Sequence, residues 1–309
     1  MRLLMLSGDT SVIRGERRAF HNTLSKFSNY WDRIDVLTHR VPGVARHDCF
    51  ENVTFHPSPW GKMMQPFFIW KKGRALAEKW RYDLIISHDY GFFLNGAGAR
   101  WLSQASGVPY VSEIHHVDGY PRAANMRERL QPWITGRYVR GAMSRALGFR
   151  VTNAGELRPL LRSWGVPAEK LLLLYSLYLD FDVFRPENTS IEYDAIFVAR
   201  LTPNKAPFLF LDGIAAAARK RDGLCALVVG AGPLKARLRA RAATLGLAAN
   251  VQFRDWVSSP VELADLYRGS RCLICTSFSE GGPRVVAEAL ACGVPVISTR
   301  VGLARELVR

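Results

Sequence analysis

Glu280 and Glu288 stand in the stretch Ser277-Phe-Ser-Glu-Gly-Gly-Pro-Arg-Val-Val-Ala-Glu-Ala-Leu-Ala-Cys-Gly-Val-Pro-Val-Ile-Ser-Thr299. Two carboxylates at this spacing accept hydrogen bonds from vicinal hydroxyls. The backbone amides of Gly281 and Gly282, with the dipole of a following helix, favour an anion or an acceptor oxygen. Together they suit a ligand that carries both hydroxyls and phosphate, such as a nucleotide sugar. On spacing alone the pair fits one N-cap acid and one solvated helix acid equally well.

The elements around the pair follow from apolar runs and turn residues. Cys272-Leu-Ile-Cys-Thr276 reads as a buried parallel strand, the Gly-Gly-Pro as a turn, and Arg284 to Ala291 as a short helix that Gly293 closes before a strand at Val294 to Ser298. Glu280 then lies on the loop at the carboxyl end of a strand, and Glu288 on the helix beyond it. This is the ligand crevice of an open α/β sheet.

The same rhythm runs through the chain. Strands are predicted at Leu3–Leu6, Ile34–Leu37, Val53–His56, Leu84–Ser87, Tyr110–Ile114, Gly148–Thr152 and Leu171–Leu174, with helices near 15–27, 66–80, 91–105, 123–146 and 155–163. After the turn-rich segment Asp180-Phe-Asp-Val-Phe-Arg-Pro-Glu-Asn-Thr-Ser190, strands resume at 194–198, 225–229, 250–253, 272–276 and 294–298. At 309 residues, two α/β domains of ordinary size are expected: residues 1–180, a linker at 181–190, and 191–309.

Other chemistry-bearing residues sit at predicted strand ends. Arg200 and Lys205 follow 194–198, where they read as anion ligands or as solvated loop cations. Gly230-Ala-Gly232-Pro233 follows Leu227–Val229, and alone this is a weak GxG. His115 and His116 follow Tyr110–Ile114, and His88 follows Leu84–Ser87. A histidine at a cleft-edge strand end suits ligand contact, against the alternative of a surface or core imidazole. Gly15 lies in the loop after the first strand.

Taken in order, Glu280-Gly-Gly-Pro-x4-Glu288-Ala-Leu-Ala-Cys-Gly-Val-Pro-Val, Phe197-Val-Ala-Arg-Leu-Thr-Pro-Asn-Lys205, Leu227-Val-Val-Gly-Ala-Gly-Pro233 and Val251-Gln-Phe-Arg-Asp-Trp-Val257 resemble the motifs of retaining glycosyltransferases of family 4. The resemblance is strong over about residues 170–309 and weaker before that. It implies a GT-B architecture, two Rossmann-like doubly wound parallel-sheet domains facing across a cleft. It also implies transfer of a sugar from a UDP- or GDP-linked donor to a glycan, lipid-linked or small-molecule acceptor. By the same resemblance Glu280 holds sugar hydroxyls, Glu288 the ribose, and Arg200 and Lys205 the diphosphate. Gly230 and Gly232 let backbone approach the donor, and His115 contacts the sugar and the scissile region, with His116 able to substitute. His88 and Gly15 are secondary candidates. No cofactor or metal is expected. Asp180-Phe-Asp182 matches a metal-binding DxD pattern but falls in Leu177-Tyr-Leu-Asp-Phe-Asp-Val-Phe-Arg-Pro186, which resembles the family's linker. Arg305-Glu306-Leu-Val-Arg309 reads as the opening of a helix, and the family implies further elements after it. A truncated chain is therefore expected, with a catalytically inactive nucleotide-sugar binder as the alternative.

Composition narrows the setting. Hydrophobic residues make up 48% of the chain, yet no run approaches a membrane span. The five cysteines read as free thiols of a reducing cytoplasm. The net charge of +15 is shared by both halves, and no nucleic-acid motif accompanies it. Residues 122–150 hold seven arginines against the single acid Glu128, interleaved with Leu130, Trp133, Ile134, Tyr138 and Met143. That stretch suits an anionic membrane surface, with Trp60, Phe67, Phe68, Trp70, Lys71 and Lys72 as a second contribution, or a packed helix with a solvated basic face.

Overall fold

In the computed structural model, residues 1–17, 19–175 and 179–308 are described. Leu177 and Tyr178 of the expected linker stretch, Arg18 of the first expected helix and Arg309 of the last lie outside them. The chain divides into two compact units. The first holds Met1–His115, Trp133–Val151 and Arg158–Leu174, and the second His116–Pro132, Thr152–Leu157 and Tyr175–Arg309.

In the first unit the chain runs β1 (Arg2–Ser7), α1 (Ala19–Phe27), β2 (Arg33–Thr38), β3 (His47–Cys49), β4 (Val53–Pro57), α2 (Gln65–Trp80), β5 (Leu84–Asp89), α3 (Leu94–Ser106) and β6 (Tyr110–Ile114). It continues with α4 (Met126–Ala142, whose residues 126–132 belong to the second unit), β7 (Ala146–Val151), α5 (Leu157–Ser163, of which residue 157 belongs to the second unit) and β8 (Leu171–Leu173). The strand order is β3-β4-β2-β1-β5-β6-β7-β8. The named pairings are parallel except β3 with β4. β1, β2 and β4 are almost wholly buried, because helices cover a parallel sheet on both faces and most positions are apolar; the buried Asp35 of β2 is met by His56 Nε2 of β4 at 2.7 Å. One face packs Leu3, Met5, Ile34, Val36, Val53 and Phe55 against Phe20 and Leu24 of α1.

The second unit adds β9 (Ala195–Val198), α6 (Pro207–Ala218), β10 (Ala226–Val229), α7 (Lys235–Thr244), β11 (Val251–Arg254), α8 (Pro260–Arg268), β12 (Leu273–Cys275), α9 (Arg284–Ala291), β13 (Val296–Ser298) and α10 (Ala304–Leu307). The order is β11-β10-β9-β12-β13, all parallel. Alternate residues of each strand serve opposite cores. Ile196, Val198, Leu227 and Val229 meet Ala264, Tyr267, Val286 and Ala289, while Phe197, Ala226 and Val228 meet Phe210, Ile214 and Leu238. Period-2 alternation thus winds helices onto both faces.

The departures from expectation are local. β3 was not expected, since His-Asp-Cys carries no apolar pattern; it is a short antiparallel edge. The first helix starts at Ala19, after a separate 3-10 turn at Val12–Arg14 that Gly15 closes. α4 begins at Met126 because Asn125 and Glu128 cap it. Asn125 Oδ1 accepts from Glu128 N at 3.0 Å, and Glu128 Oε2 accepts from Ala124 N at 2.7 Å. β13 starts after Pro295, which has no N–H to donate to a ladder. Among the described residues no helix is long and apolar enough to cross a membrane. All five cysteines are free.

Candidate functional site

In the second unit the expected donor residues follow the carboxyl ends of strands: Arg200 and Lys205 after β9, Gly230 and Gly232 after β10, Glu280, Gly281 and Gly282 after β12, and Glu288 on α9. The turn after β9 and the loop after β12 are tied together. Thr276 Oγ1 donates to the carbonyls of Lys205 and Ala206 at 3.0 and 2.9 Å, and Phe278 N to Asn204 O at 2.8 Å. Lys205 is thereby placed to ion-pair with Glu280 through Nζ and Oε1. Ser277 Oγ donates to the same carboxylate oxygen at 2.8 Å. Arg200, one turn earlier, is exposed.

Glu288 is only 5% exposed. Tyr267 OH donates to its Oε2 at 3.1 Å, and Arg284 Nη2 lies 3.2 Å from its Oε1. Burial raises its pKa, against the pull of Arg284 and Tyr267. Glu280 and Glu288 therefore occupy different settings, one on a lysine and a serine, the other under a tyrosine.

Gly230 and Gly232 sit at φ 154° and 155°, and a Cβ on Gly232 would lie 2.6 Å from Leu201 O. These glycines let the loop after β10 lie against the loop carrying Arg200, with Leu201 N donating to Ala231 O at 2.9 Å. Gly282 is half-buried. Gly281 O accepts from Leu303 N at 3.2 Å and from the buried Asn153 Nδ2 at 2.9 Å.

Asn153 belongs to a segment the sequence reading left unassigned. Residues 152–157 follow β7 yet form part of this unit. Asn153 Oδ1 caps α5 by accepting from Glu156 N and Leu157 N. Glu156, 1% exposed, accepts from Gly302 N at 2.9 Å. Glu306 Oε1 accepts from Ala154 N and Gly155 N at 2.7 and 2.8 Å. Gly302 has φ 46°, and a Cβ there would meet the carbonyls of Glu280 and Gly281 at 2.4 and 2.5 Å. Burial, with Glu280 adding to it, pushes the Glu156 carboxyl up to about 7 in spite of Gly302 N, Arg305 and His116. Asparagine directly after a strand and before a helical run was the available signal for this cap. The partners near residue 300 had none.

His116 lies in this unit as well, with Nε2 3.1 Å from Asp118 Oδ1. The His116 hydrogen bond, with lesser help from Arg127 and Arg200, lowers the Asp118 pKa. Asp180 caps a turn, accepting from Asp182 N at 3.1 Å.

His115 and His88 belong to the first unit, where Glu113 joins them. Its Oε2 lies 3.2 Å from His115 Nε2 and 3.1 Å from His88 Nε2, and its Oε1 accepts from Arg150 Nη1 at 2.7 Å. His88 Nδ1 lies 3.1 Å from Ser7 Oγ. Burial opposes the charge on Glu113, but His115, His88 and Arg150 outweigh it and hold the carboxyl far below its usual range. A glutamate inside the apolar run Tyr110–Ile114 was the signal for this cluster.

Residues 181–309 match the family described as glycosyl transferases group 1, and residues 27–175 match the glycosyl transferase 4-like domain. The chain carries two glycosyltransferase domains. It is 31% identical over 259 residues to the D-inositol 3-phosphate glycosyltransferase of Acidothermus cellulolyticus, covering 77% of this chain and 56% of that protein. The chain thus spans little more than half the length of that relative. Among solved structures it resembles Anabaena HepE in complex with UDP-glucose (TM-score 0.71, 20% identity, all of this chain and 83% of that one). It also resembles the lipopolysaccharide outer core galactosyltransferase WaaB (TM-score 0.74, 17% identity, all of this chain and 84% of that one). At these identities the likeness is one of fold, and the fold is GT-B.

Proposed function

We propose that this protein moves a sugar from a UDP- or GDP-linked donor to a glycan, lipid-linked or small-molecule acceptor, in cytoplasmic synthesis of cell-envelope polysaccharide or glycolipid. Transfer retains the anomeric configuration and uses no metal. The Lys205–Glu280 pair, with exposed Arg200 earlier in the same segment after β9, carries this reading. A diphosphate entering between the two cations competes for Lys205 and frees the Glu280 carboxylate to accept hydrogen bonds from sugar hydroxyls. Glu288, held by Tyr267 and Arg284, takes the ribose hydroxyls. The amides of Gly281 and Gly282 face developing negative charge.

As the bond from the anomeric carbon to the phosphate oxygen breaks, Arg200 and Lys205 stabilise the leaving diphosphate. The acceptor oxygen bonds to that carbon on the face the diphosphate leaves, and its proton passes to a diphosphate oxygen. His115, held by Glu113 in the first unit, is assigned the catalytic role that the resemblance implies for it. The solved likeness to HepE with UDP-glucose and the inositol-phosphate glycosyltransferase relatives support a nucleotide-sugar donor. The second reading is a nucleotide-sugar binder that transfers nothing, in which the same residues hold the donor.

Titration with a panel of UDP- and GDP-sugars, followed by mass spectrometry of acceptor products, separates the outcomes. Binding with a transferred sugar of unchanged anomeric configuration is expected. Binding without product selects the second reading, and no binding to any donor overturns both.

A further inference from the structure

In the first unit, α3 and the second half of α4 border a groove. Phe93, Ala97 and Arg100 recur at helical spacing along one wall, and Ile134, Tyr138 and Gly141 along the other, with Arg137 and Arg140 beside them. The cavity measures 640 Å³, within the range of small-molecule sites. Its inner part is aromatic, with the Phe93 and Tyr138 rings 5.0 Å apart. Its rim is cationic. Arg100 Nη1 donates to Gly141 O at 3.0 Å, which fixes that guanidinium at the α3–α4 junction, and Arg137 and Arg140 are exposed. Among the described residues no carboxylate ion-pairs with any of the three. Asp89, the acid behind the groove, is 2% exposed and is covered by Tyr138, whose OH donates to it at 3.0 Å. Three guanidinium groups without a protein counter-ion draw an anion from outside, and their planar forks match phosphate oxygens.

We propose that this groove seats the phosphate head group of an anionic phospholipid at a bilayer surface. The choice of a lipid over a soluble phosphate rests on the flanking tryptophans. Trp133 is 65% exposed and lies four residues before Arg137 on the same helix face. Trp101, which follows Arg100 in the sequence of α3, is 43% exposed. Indoles beside arginines anchor a protein at the membrane–water interface. The anionic-surface affinity expected of residues 122–150 thus concentrates at one groove, and it does not depend on the sugar-transfer reading.

Co-sedimentation of the 309-residue protein with vesicles of phosphatidylglycerol in phosphatidylcholine, against phosphatidylcholine alone, tests it without any donor. Binding should require phosphatidylglycerol. Arg137→Gln with Arg140→Gln should weaken it about tenfold or more, while Arg129→Gln with Arg145→Gln, elsewhere in the basic stretch, should change it less than about threefold. Ala97→Phe, which narrows the groove without altering charge, should weaken it as well. Equal losses in the two arginine pairs would reduce the effect to diffuse charge and overturn the groove. Binding of soluble glycerol phosphate as strong as that of the vesicles, or equal pelleting with both lipids, would overturn the lipid assignment.

Discussion

Glu113 of the first unit and Glu156 of the second are both buried carboxyls, 6% and 1% exposed, and their pKa values are driven in opposite directions. Glu113 meets two imidazoles and a guanidinium, and its pKa is driven down. Glu156 meets one backbone amide, and burial drives it up to about 7. Burial alone always raises a carboxyl; the partners decide whether it stays ionised. Each unit therefore carries an acid suited to a different task. One fixes the position of two histidines, and the other takes up a proton more readily than an exposed carboxyl does.

Removing Glu113 gives the largest expected effect. Glu113→Ala removes the carboxylate that Arg150 and two imidazoles share, and should destabilise the protein by about 3–5 kcal/mol. Urea unfolding measures it, and a loss below about 1 kcal/mol would show that Glu113 does not anchor the cluster.

Donor affinity comes next. Lys205→Ala and Glu288→Ala should each weaken binding of a UDP- or GDP-sugar by about 1–3 kcal/mol, the worth of a charge-assisted hydrogen bond. Unchanged isotherms for both variants would sink the site assignment in the second unit, while leaving the histidine cluster of the first untouched.

Much of the fold was legible, and the reason is local. Buried parallel strands must be apolar along their length, so Leu3–Leu6 or Leu227–Val229 can be read without knowing any partner. The loop residues Glu280, Lys205 and Arg200 were legible because glycines and strand ends mark a crevice. Asn153, Glu156 and Glu306 were not, since their bonds join residues about 150 positions apart and leave no periodic trace. β3 was missed for the opposite reason: a three-residue edge strand needs no apolar pattern at all.

The opposite shifts also predict opposite pH responses. The Glu156 pKa is raised above its unfolded value of 4.5, so the folded state holds a proton that the unfolded state releases. Its contribution to stability is full below about pH 4.5, and is lost as pH rises through about 7. Glu113, lowered, contributes above its unfolded pKa and loses that contribution as pH falls through its folded value. Glu156→Gln should flatten the stability curve between about pH 4.5 and 7 by about 1–2 kcal/mol. A wild-type curve that already rises across that window, with no change in the variant, would place an ionised carboxylate at Glu156 and remove the contrast with Glu113.

The smallest expected effect is that of a chelator. Two negative charges on a diphosphate need neutralising, and Arg200 with Lys205 supplies two positive charges in the second unit. Donor affinity measured by calorimetry should therefore be the same with and without EDTA, within about a factor of two. A larger loss, restored by manganese or magnesium, would mean that the cations do not suffice. Asp180 and Asp182 would then gain the ligand role that their turn geometry, with Asp180 accepting from the Asp182 amide, does not require of them.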